Sequence, residues 1–429
     1  MANTLSVNKK TINEFLSDSQ KQKFLIPEYQ RPYSWKEDHI STLFEDLVEF
    51  TQKKLTDKSQ ENYFLGTVVY FVNENNEREI IDGQQRLTSL LLFLRVIYEK
   101  LSQSEIKSDE GENFIRQIEP LIWIRNELNH KVDKNSILIN SKVVSDKQND
   151  ILHKILKTGK TEDNAKDNYS KNYEFFAKLY NEFLAKNSDP NAIYIFINNL
   201  LNYTIIMPIE ADTQDTALTI FSTLNDRGEP LTDADIFKAK IYGNLDNDKK
   251  EEFIKKWREL EDRTKECKEN MQNLFYAYMF YLRAKDKDKV STTPKLRTYL
   301  SQNKFEKLKD EHLLTNLEHI FNLLKFSNDL KGIDNENWSN NIQIKQVISL
   351  LKLTNNEWWK YPAVIYYLKH RTNQNFEDLY LKFLRQLFVS IFKRYSINHS
   401  INALKFPVLK LNIAHIQPPT ATHGKVLNR

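Results

Sequence analysis

The spacing of apolar residues between positions 63 and 100 predicts two strands and a helix in succession. Residues 63–72 are rich in aromatic and β-branched side chains, and the polar residues 73–77 suit a turn. Residues 78–81 fit a return strand, so the pair predicts a β-hairpin. From Gln84 to Lys100, apolar residues recur at helical spacing on most faces, which predicts a helix buried on most sides.

The sequence on either side of the hairpin adds further elements. Residues 24–27 are a short extended run that leads into a loop with two prolines, and residues 35–50 have the spacing of an amphipathic helix. Strand character returns over residues 203–210. A helix starts at Thr232, where an acid follows three residues later, as in a capping box.

Two longer regions complete the expected architecture. Residues 102–202 alternate polar segments rich in Lys, Asn and Asp with helical ones, so we expect a helical insertion there. After Asn244, strand patterns are few and helical spacing dominates. The fold class is therefore predicted as α+β, with a small mixed sheet and helices over residues 1–244 and an all-α domain over residues 245–429.

Composition narrows the possible classes. The chain has 429 residues, of which 40% are hydrophobic and 28% charged, as in a globular protein, and its 8 glycines disfavour a dinucleotide-binding fold. The single cysteine, Cys267, excludes an internal disulfide and a cysteine zinc site. We expect a cytoplasmic protein without signal peptide or membrane span. The net charge of +4 neither requires nor excludes nucleic acid.

The junction between the return strand and the buried helix is the main candidate for chemistry. It reads Ile80-Ile81-Asp82-Gly83-Gln84-Gln85-Arg86-Leu87-Thr88. The first N–H groups of a helix favour anions, and Arg86 adds a planar group suited to phosphate. Because Asp82 is an acid at the same place, one hypothesis is a site that binds a phosphate and acts on it. In the alternative, Asp82 caps the helix and Arg86 forms a surface ion pair.

Two further stretches carry arginines in loops. In the first, prolines flank Gln30-Arg31, which either contact a phosphate or base or belong to an aromatic loop whose arginine pairs with a core carboxylate. In the second, a helix ends in Asn225-Asp226-Arg227-Gly228. A helix C-cap requires Gly228 but not Arg227, so Asn225 and Arg227 are candidates to face the same site.

Histidines near the end of the chain are weaker candidates. The run His415-Ile416-Gln417-Pro418 could begin a metal nuclease motif, with His399 and His423 near it in sequence. Few residues follow, and the ligand number that such a site needs is unsupported. The chain contains no Walker-type phosphate-binding motif, so a nucleotide site would belong to another class.

Taken together, the three stretches resemble the DUF262 family, the N-terminal domain of GmrSD-type (type IV) restriction enzymes and of related phage-defence proteins. The motifs, in order, are Ile-Pro-x-Tyr-Gln-Arg-x-Tyr-x-Trp, a Phe-Leu-Gly hairpin followed by Asp-Gly-Gln-Gln-Arg-Leu-Thr, and Phe-x-x-Leu-Asn-x-Arg-Gly-x-x-Leu-x-x-x-Asp. The resemblance covers about residues 5–243. It implies a ParB/sulfiredoxin-like fold with a variable helical insertion.

The resemblance also implies a nucleoside-triphosphate hydrolase or sensor, with GTP a common preference, coupled to recognition of modified phage DNA. The implied catalytic residues are Asp82, Gln84, Gln85 and Arg86. The implied nucleotide-binding residues are Gln30, Arg31, Gly83, Thr88, Asn225, Arg227 and Gly228. The expected cofactor is Mg²⁺ bridging the phosphates, with Asp82 either binding it or orienting water.

Many members of the family continue into a DUF1524 domain, an HNH-type nuclease that begins His-Ile-x-Pro. The run at His415 is similar to that start, but the chain ends at Arg429. We therefore expect no DNA cleavage by this chain alone, with the nuclease either truncated or supplied by a partner. Two alternatives to an NTPase stay open: a nucleotide- or DNA-binding module that gates a partner nuclease, and a DNA-binding scaffold whose helical second half carries the contacts.

Overall fold

The chain forms two compact units, Met1–Pro230 and Leu231–Arg429. The computed structural model describes residues 6–57, 61–104, 108–126, 131–143, 146–187, 190–224, 232–267, 269–354, 357–397 and 402–416. The domain boundary expected near Asn244 lies after the first helix of the second unit, and the structure divides the chain before that helix. The reason is packing, because Phe237 of that helix lies against Phe275, with ring centroids 4.9 Å apart.

The first unit contains strands and helices that alternate along the chain. The strands are β1 (Ser6–Val7), β2 (Lys10–Thr11), β3 (Phe24–Ile26), β4 (Tyr63–Val72), β5 (Arg78–Asp82), β6 (Trp123–Arg125), β7 (Val132–Ile137), β8 (Ile139–Ser141) and β9 (Thr204–Ala211). The helices are α1 (Ile12–Asp18), α2 (Glu37–Asp57), α3 (Gln84–Gln103), α4 (Asp109–Ile122), α5 (Asp146–Thr158), α6 (Asn168–Lys186), α7 (Pro190–Asn202) and α8 (Gln214–Leu224).

A mixed sheet forms the centre of this unit. Within the described residues it has seven strands, in the order β1-β9-β4-β5-β3-β8, and β2 also pairs with β9. The predicted hairpin of β4 and β5 is confirmed and antiparallel. β4 runs parallel to β9, and β3 runs parallel to both β5 and β8. β5 therefore ends in the interior of the sheet, and α3 begins directly after it.

The insertion is mostly helical, as expected, but it also contributes three strands that the sequence analysis did not predict. β6 and β7 form a separate antiparallel ribbon. β8 joins the central sheet beside β3, with Phe24 paired to Ile139. A three-residue strand is too short to show a period of two, which explains why the pattern missed β8. The insertion is thus part of the sheet.

The core of the first unit lies around α3. Residues Leu87 to Tyr98 of this helix are all buried, which confirms the predicted burial on most sides. Phe93 stacks on Phe176 of α6 at 4.8 Å between ring centroids. It also meets Phe44 of α2 edge-on at 5.6 Å. Because α3 is fixed by this packing, the position of its first turn is fixed as well.

The second unit is helical, as predicted. Its helices are α9 (Asp233–Asn244), α10 (Asn247–Glu266), α11 (Met271–Lys285), α12 (Leu296–Leu300), α13 (Gln302–Phe305), α14 (Leu313–Asp329), α15 (Ile342–Lys352), α16 (Lys360–His370), α17 (Phe376–Ile397) and α18 (Asn402–Ile416). The predicted capping box at the start of α9 is confirmed, because the side chains of Thr232 and Asp235 each accept from the other's backbone N–H. Among the described helices of either unit, none is both long and apolar enough to cross a membrane.

Candidate functional site

The turn from β5 into α3 has the geometry that its sequence predicts. Gly83 has a left-handed backbone with φ of 89° and is the N-cap residue of α3. A Cβ atom at this position would come within 2.9 Å of the Thr67 carbonyl oxygen and of a Val68 methyl group, so only glycine fits. The alternative in which Asp82 caps the helix is therefore wrong. Within the described residues, no side chain caps the first turn of α3.

Asp82 lies at the end of β5 in a polar environment that is largely shielded from solvent. Burial is the main influence and raises the pKa of its carboxyl group. The Arg86 charge, the Gly83 N–H, the Arg31 charge and the Thr67 hydroxyl all stabilise the carboxylate, and they offset part of that rise in pKa. The nearest guanidinium nitrogen of Arg86 is 3.9 Å from the Asp82 carboxylate. A carboxyl group with a shifted pKa beside two arginines is typical of a functional site.

Arg86 is held chiefly by the backbone of β4. Its Nη1 donates to the carbonyl oxygens of Thr67 at 3.1 Å and of Leu65 at 3.4 Å. The surface ion pair with Asp82, which the sequence offered as an alternative, is present but long. Thr67 was not predicted to belong to the site. It follows the Phe-Leu-Gly run of the hairpin motif, and that run was the only sequence signal for this part of β4.

The first and second motifs meet through their glutamines. Gln84 is buried, and its Nε2 donates to the Arg31 carbonyl oxygen at 3.1 Å and, more weakly, to Gln30 Oε1 at 3.5 Å. Gln30 is also buried, and its Nε2 donates to the Ile81 carbonyl oxygen at 3.2 Å. Two amide side chains thus connect the loop after β3 to both sides of the β5–α3 turn.

Gln85 holds the next part of the same loop. Its Oε1 accepts from the backbone N–H groups of Ser34 at 2.8 Å and of Trp35 at 3.3 Å. Its Nε2 donates to the Pro32 carbonyl oxygen at 3.0 Å. These three side-chain bonds all go to the loop backbone, so Gln85 shapes the loop that carries Arg31.

A small pocket lies between this loop and the first turn of α3. It has an empty volume of about 170 Å³ and is lined by Ile26, Arg31, Tyr33, Gln84, Gln85, Thr88, Ser141 and Tyr169. Four of the predicted site residues therefore share one pocket. Ser141 and Tyr169 come from the insertion and were not predicted. Burial raises the pKa of Tyr169 to about 12, so its hydroxyl is protonated at neutral pH.

Helix α6 supports the loop from the far side. Tyr169 stacks on Tyr33, with ring centroids 4.9 Å apart. The buried Asn172 donates through Nδ2 to the Tyr33 hydroxyl at 2.9 Å and to the Trp35 carbonyl oxygen at 2.8 Å. The loop is thus held by α3 on one side and by α6 on the other.

The other residues predicted from the sequence do not add described side chains to this site. Asn225, Arg227 and Gly228 lie outside the described residues, as do Gln417, Pro418, His399 and His423. His415 belongs to the last turn of α18, where its ring packs against Phe383 at 4.8 Å between centroids. Within the described ranges, no group of three or more His, Cys, Asp and Glu side chains is placed to hold a metal ion.

A known family model matches more than half of the chain. Residues 12–242 match the family model described as the GmrSD restriction endonuclease, N-terminal domain, and this range contains every part of the site described above. A comparison with curated proteins gives no significant match.

Proposed function

Because this chain belongs to the family of GmrSD restriction endonuclease N-terminal domains, which ties it to restriction-type defence, we propose that it binds and hydrolyses a nucleoside triphosphate. In this proposal GTP is the preferred nucleotide. Hydrolysis regulates a restriction-type system that acts on modified phage DNA, and a nuclease domain or partner carries out the cleavage.

The observation that carries the proposal is the position of Asp82. This carboxyl group lies at the end of β5, directly before the start of α3, which has no side-chain cap among the described residues. The charges of Arg86 and Arg31 both stabilise its carboxylate form. Phosphoryl transfer depends on positioned positive charge around the phosphates. The N-terminus of α3 and the Arg31 guanidinium supply such charge, and Asp82 supplies an acid that can orient a water molecule.

The same carboxylate fits a magnesium ion. Mg²⁺ in phosphate-processing sites is commonly held by one or two carboxylates, with phosphate oxygens and water completing its octahedron. Asp82 would be the protein ligand, and the ion would neutralise charge on the phosphates. The other site residues do not need the ion for their roles. Arg31 binds phosphate, and Gln84 and Gln85 fix the loop that carries Arg31.

A phosphate-release assay across the four nucleoside triphosphates tests the proposal. We expect turnover by the wild type, with a loss of about 100-fold or more in Asp82→Asn and in Arg31→Ala, since each removes a group that acts on the transferring phosphate. Asp163→Asn and Arg116→Ala change exposed residues away from the site and serve as matched controls. Equal turnover in the wild type and in both site variants would contradict the assignment.

The alternative is a module that binds a nucleotide without chemistry and gates a partner nuclease. The contacts of Gln84, Gln85 and Arg86 favour this reading, because all three side chains bind backbone groups of the loop after β3 or of β4. Nucleotide binding by calorimetry with no phosphate release, even when modified DNA is added, would establish the alternative.

A further inference from the structure

The side chain of Arg86 occupies a slot that exists because residue 66 is glycine. A Cβ atom added to Gly66 would lie 1.7 Å from Arg86 Nη1 and 2.8 Å from its Cζ. Gly66 also has a φ of 134°, in a region that side chains rarely adopt. The backbone conformation at this position therefore requires glycine, and a side chain there would also displace the end of the Arg86 side chain.

The slot coincides with an irregularity of β4. The register between β4 and β9 shifts between Phe64 and Gly66, which leaves Leu65 as an extra residue in the parallel pairing. A bulge of this kind leaves backbone groups without a ladder partner. The Leu65 carbonyl oxygen accepts from Arg86 Nη1, and the Thr67 carbonyl oxygen, one residue beyond the slot, accepts from the same nitrogen.

The same short segment also reaches Asp82. The Thr67 hydroxyl donates to the Asp82 carboxylate, while the backbone of Thr67 binds Arg86. Asp82 and Arg86 are one helical turn apart, on either side of the cap residue of α3. Strand β4 thus fixes the acid and the arginine together through three consecutive residues.

We propose that Gly66 and Arg86 form a positioning pair for Asp82. The glycine slot and the two carbonyl oxygens hold the Arg86 side chain in one place. Arg86 in turn fixes the first turn of α3 and the Asp82 carboxylate beside it. This proposal rests on the function proposed above and assigns Arg86 a role within it. Arg86 acts through Asp82 and β4, and phosphate binding is left to Arg31, which lines the pocket.

The variants Gly66→Ala, Arg86→Ala and the double variant test the pair. We expect each single variant to lower kcat by about 10- to 100-fold, because a displacement of about 1 Å at the acid is enough for such a loss. The Kd of a non-hydrolysable nucleotide analogue should stay within about twofold of the wild type, since phosphate contacts are kept. The double variant should have a kcat per folded molecule no lower than that of Arg86→Ala, because the added methyl group then meets no arginine. The backbone strain at residue 66 remains in the double variant and should lower its stability only.

Two further variants separate positioning from general damage. Gly159 also has a positive φ, of 68°, and a Cβ there would lie 2.5 Å from the guanidinium of Arg95, far from the site in sequence. Gly159→Ala therefore introduces the same kind of strain, and we expect its kcat per folded molecule to equal that of the wild type. Arg86→Lys should not restore kcat, because a single ammonium group cannot reproduce the planar fork of Arg86.

The outcomes are distinct. Additive losses in the double variant, or a Kd raised about tenfold in Arg86→Ala with normal turnover in Gly66→Ala, would overturn the pair while leaving the proposed function in place. Absence of turnover in the wild type with every nucleotide would overturn the proposed function and the catalytic role of the pair with it.

Discussion

At the scale of single residues, Asp82 lies in surroundings that disfavour its charged form. Burial is the main cause of its raised pKa, and two arginines, a backbone N–H and a hydroxyl offset that effect in part. A buried acid of this kind costs stability, and functional sites commonly carry that cost. We therefore expect Asp82→Asn to lose turnover and to unfold at the same temperature as the wild type or higher, as measured by differential scanning fluorimetry.

The pH dependence follows from the direction of the shift. The pKa of Asp82 is higher in the folded state than in the unfolded chain, so the folded state retains the proton longer. Below the ordinary pKa of aspartate, about 4, both states are protonated and the cost of ionisation is absent. The stability of the wild type relative to Asp82→Asn should fall as the pH rises through the raised pKa, and stay constant above it. A lower melting temperature for Asp82→Asn at neutral pH would contradict this account.

Gln85 allows a second prediction at this scale. Gln85→Ala removes the acceptor for two loop N–H groups and the donor to the Pro32 carbonyl oxygen. We expect a loss of about 1 kcal/mol in the free energy of unfolding and weaker nucleotide binding, because the loop that carries Arg31 is no longer held. Gln103→Ala, at the exposed end of the same helix, is the control. Denaturant titration and calorimetry measure the two effects, and unchanged nucleotide affinity would show that the loop needs no support from Gln85.

At the scale of elements, the site depends on α6, which lies in the insertion. Asn172→Ala leaves the Tyr33 hydroxyl and the Trp35 carbonyl oxygen without this donor inside the protein. The expected cost is about 1–3 kcal/mol of stability, together with a fall in turnover. Asn187→Ala is a matched control, because the Asn187 side chain donates to the Phe183 carbonyl oxygen of the same helix. Denaturant titrations and phosphate release on the two variants make the comparison, and equal turnover would show that α6 does not hold the loop.

The elements also show what the sequence can and cannot predict. The β4–β5 hairpin, α3 and the capping box of α9 follow from local spacing, because each is determined by residues close in sequence. β8 and the support from α6 depend on contacts between distant parts of the chain. The spacing of apolar residues within a short segment does not predict such contacts. The same is true of the contacts of Arg86: its side chain chemistry suggested a phosphate ligand, while its partners are carbonyl oxygens of β4.

At the scale of the whole molecule, the described part of the site lies within the first of two compact units. A ligand that binds only the folded state stabilises it in proportion to its concentration relative to Kd, by about 2.7 kcal/mol at 100 times Kd. Hydrogen exchange shows which part of the chain gains this stability. With a non-hydrolysable nucleotide and Mg²⁺ at that concentration, amides of α3 and the sheet that exchange by global opening of the first unit should slow by about 100-fold.

The control for this experiment is Arg31→Ala at the same nucleotide concentration. If Arg31 binds phosphate, a smaller fraction of the variant protein has nucleotide bound at this concentration. The slowing of amide exchange in α3 and the sheet should then largely disappear. Protection that arises only in the helices of the second unit would place the nucleotide elsewhere. Protection in α3 that persists in Arg31→Ala but is lost in Arg86→Ala would transfer the phosphate contact to Arg86, and the slot at Gly66 would then hold an arginine that moves when the nucleotide binds.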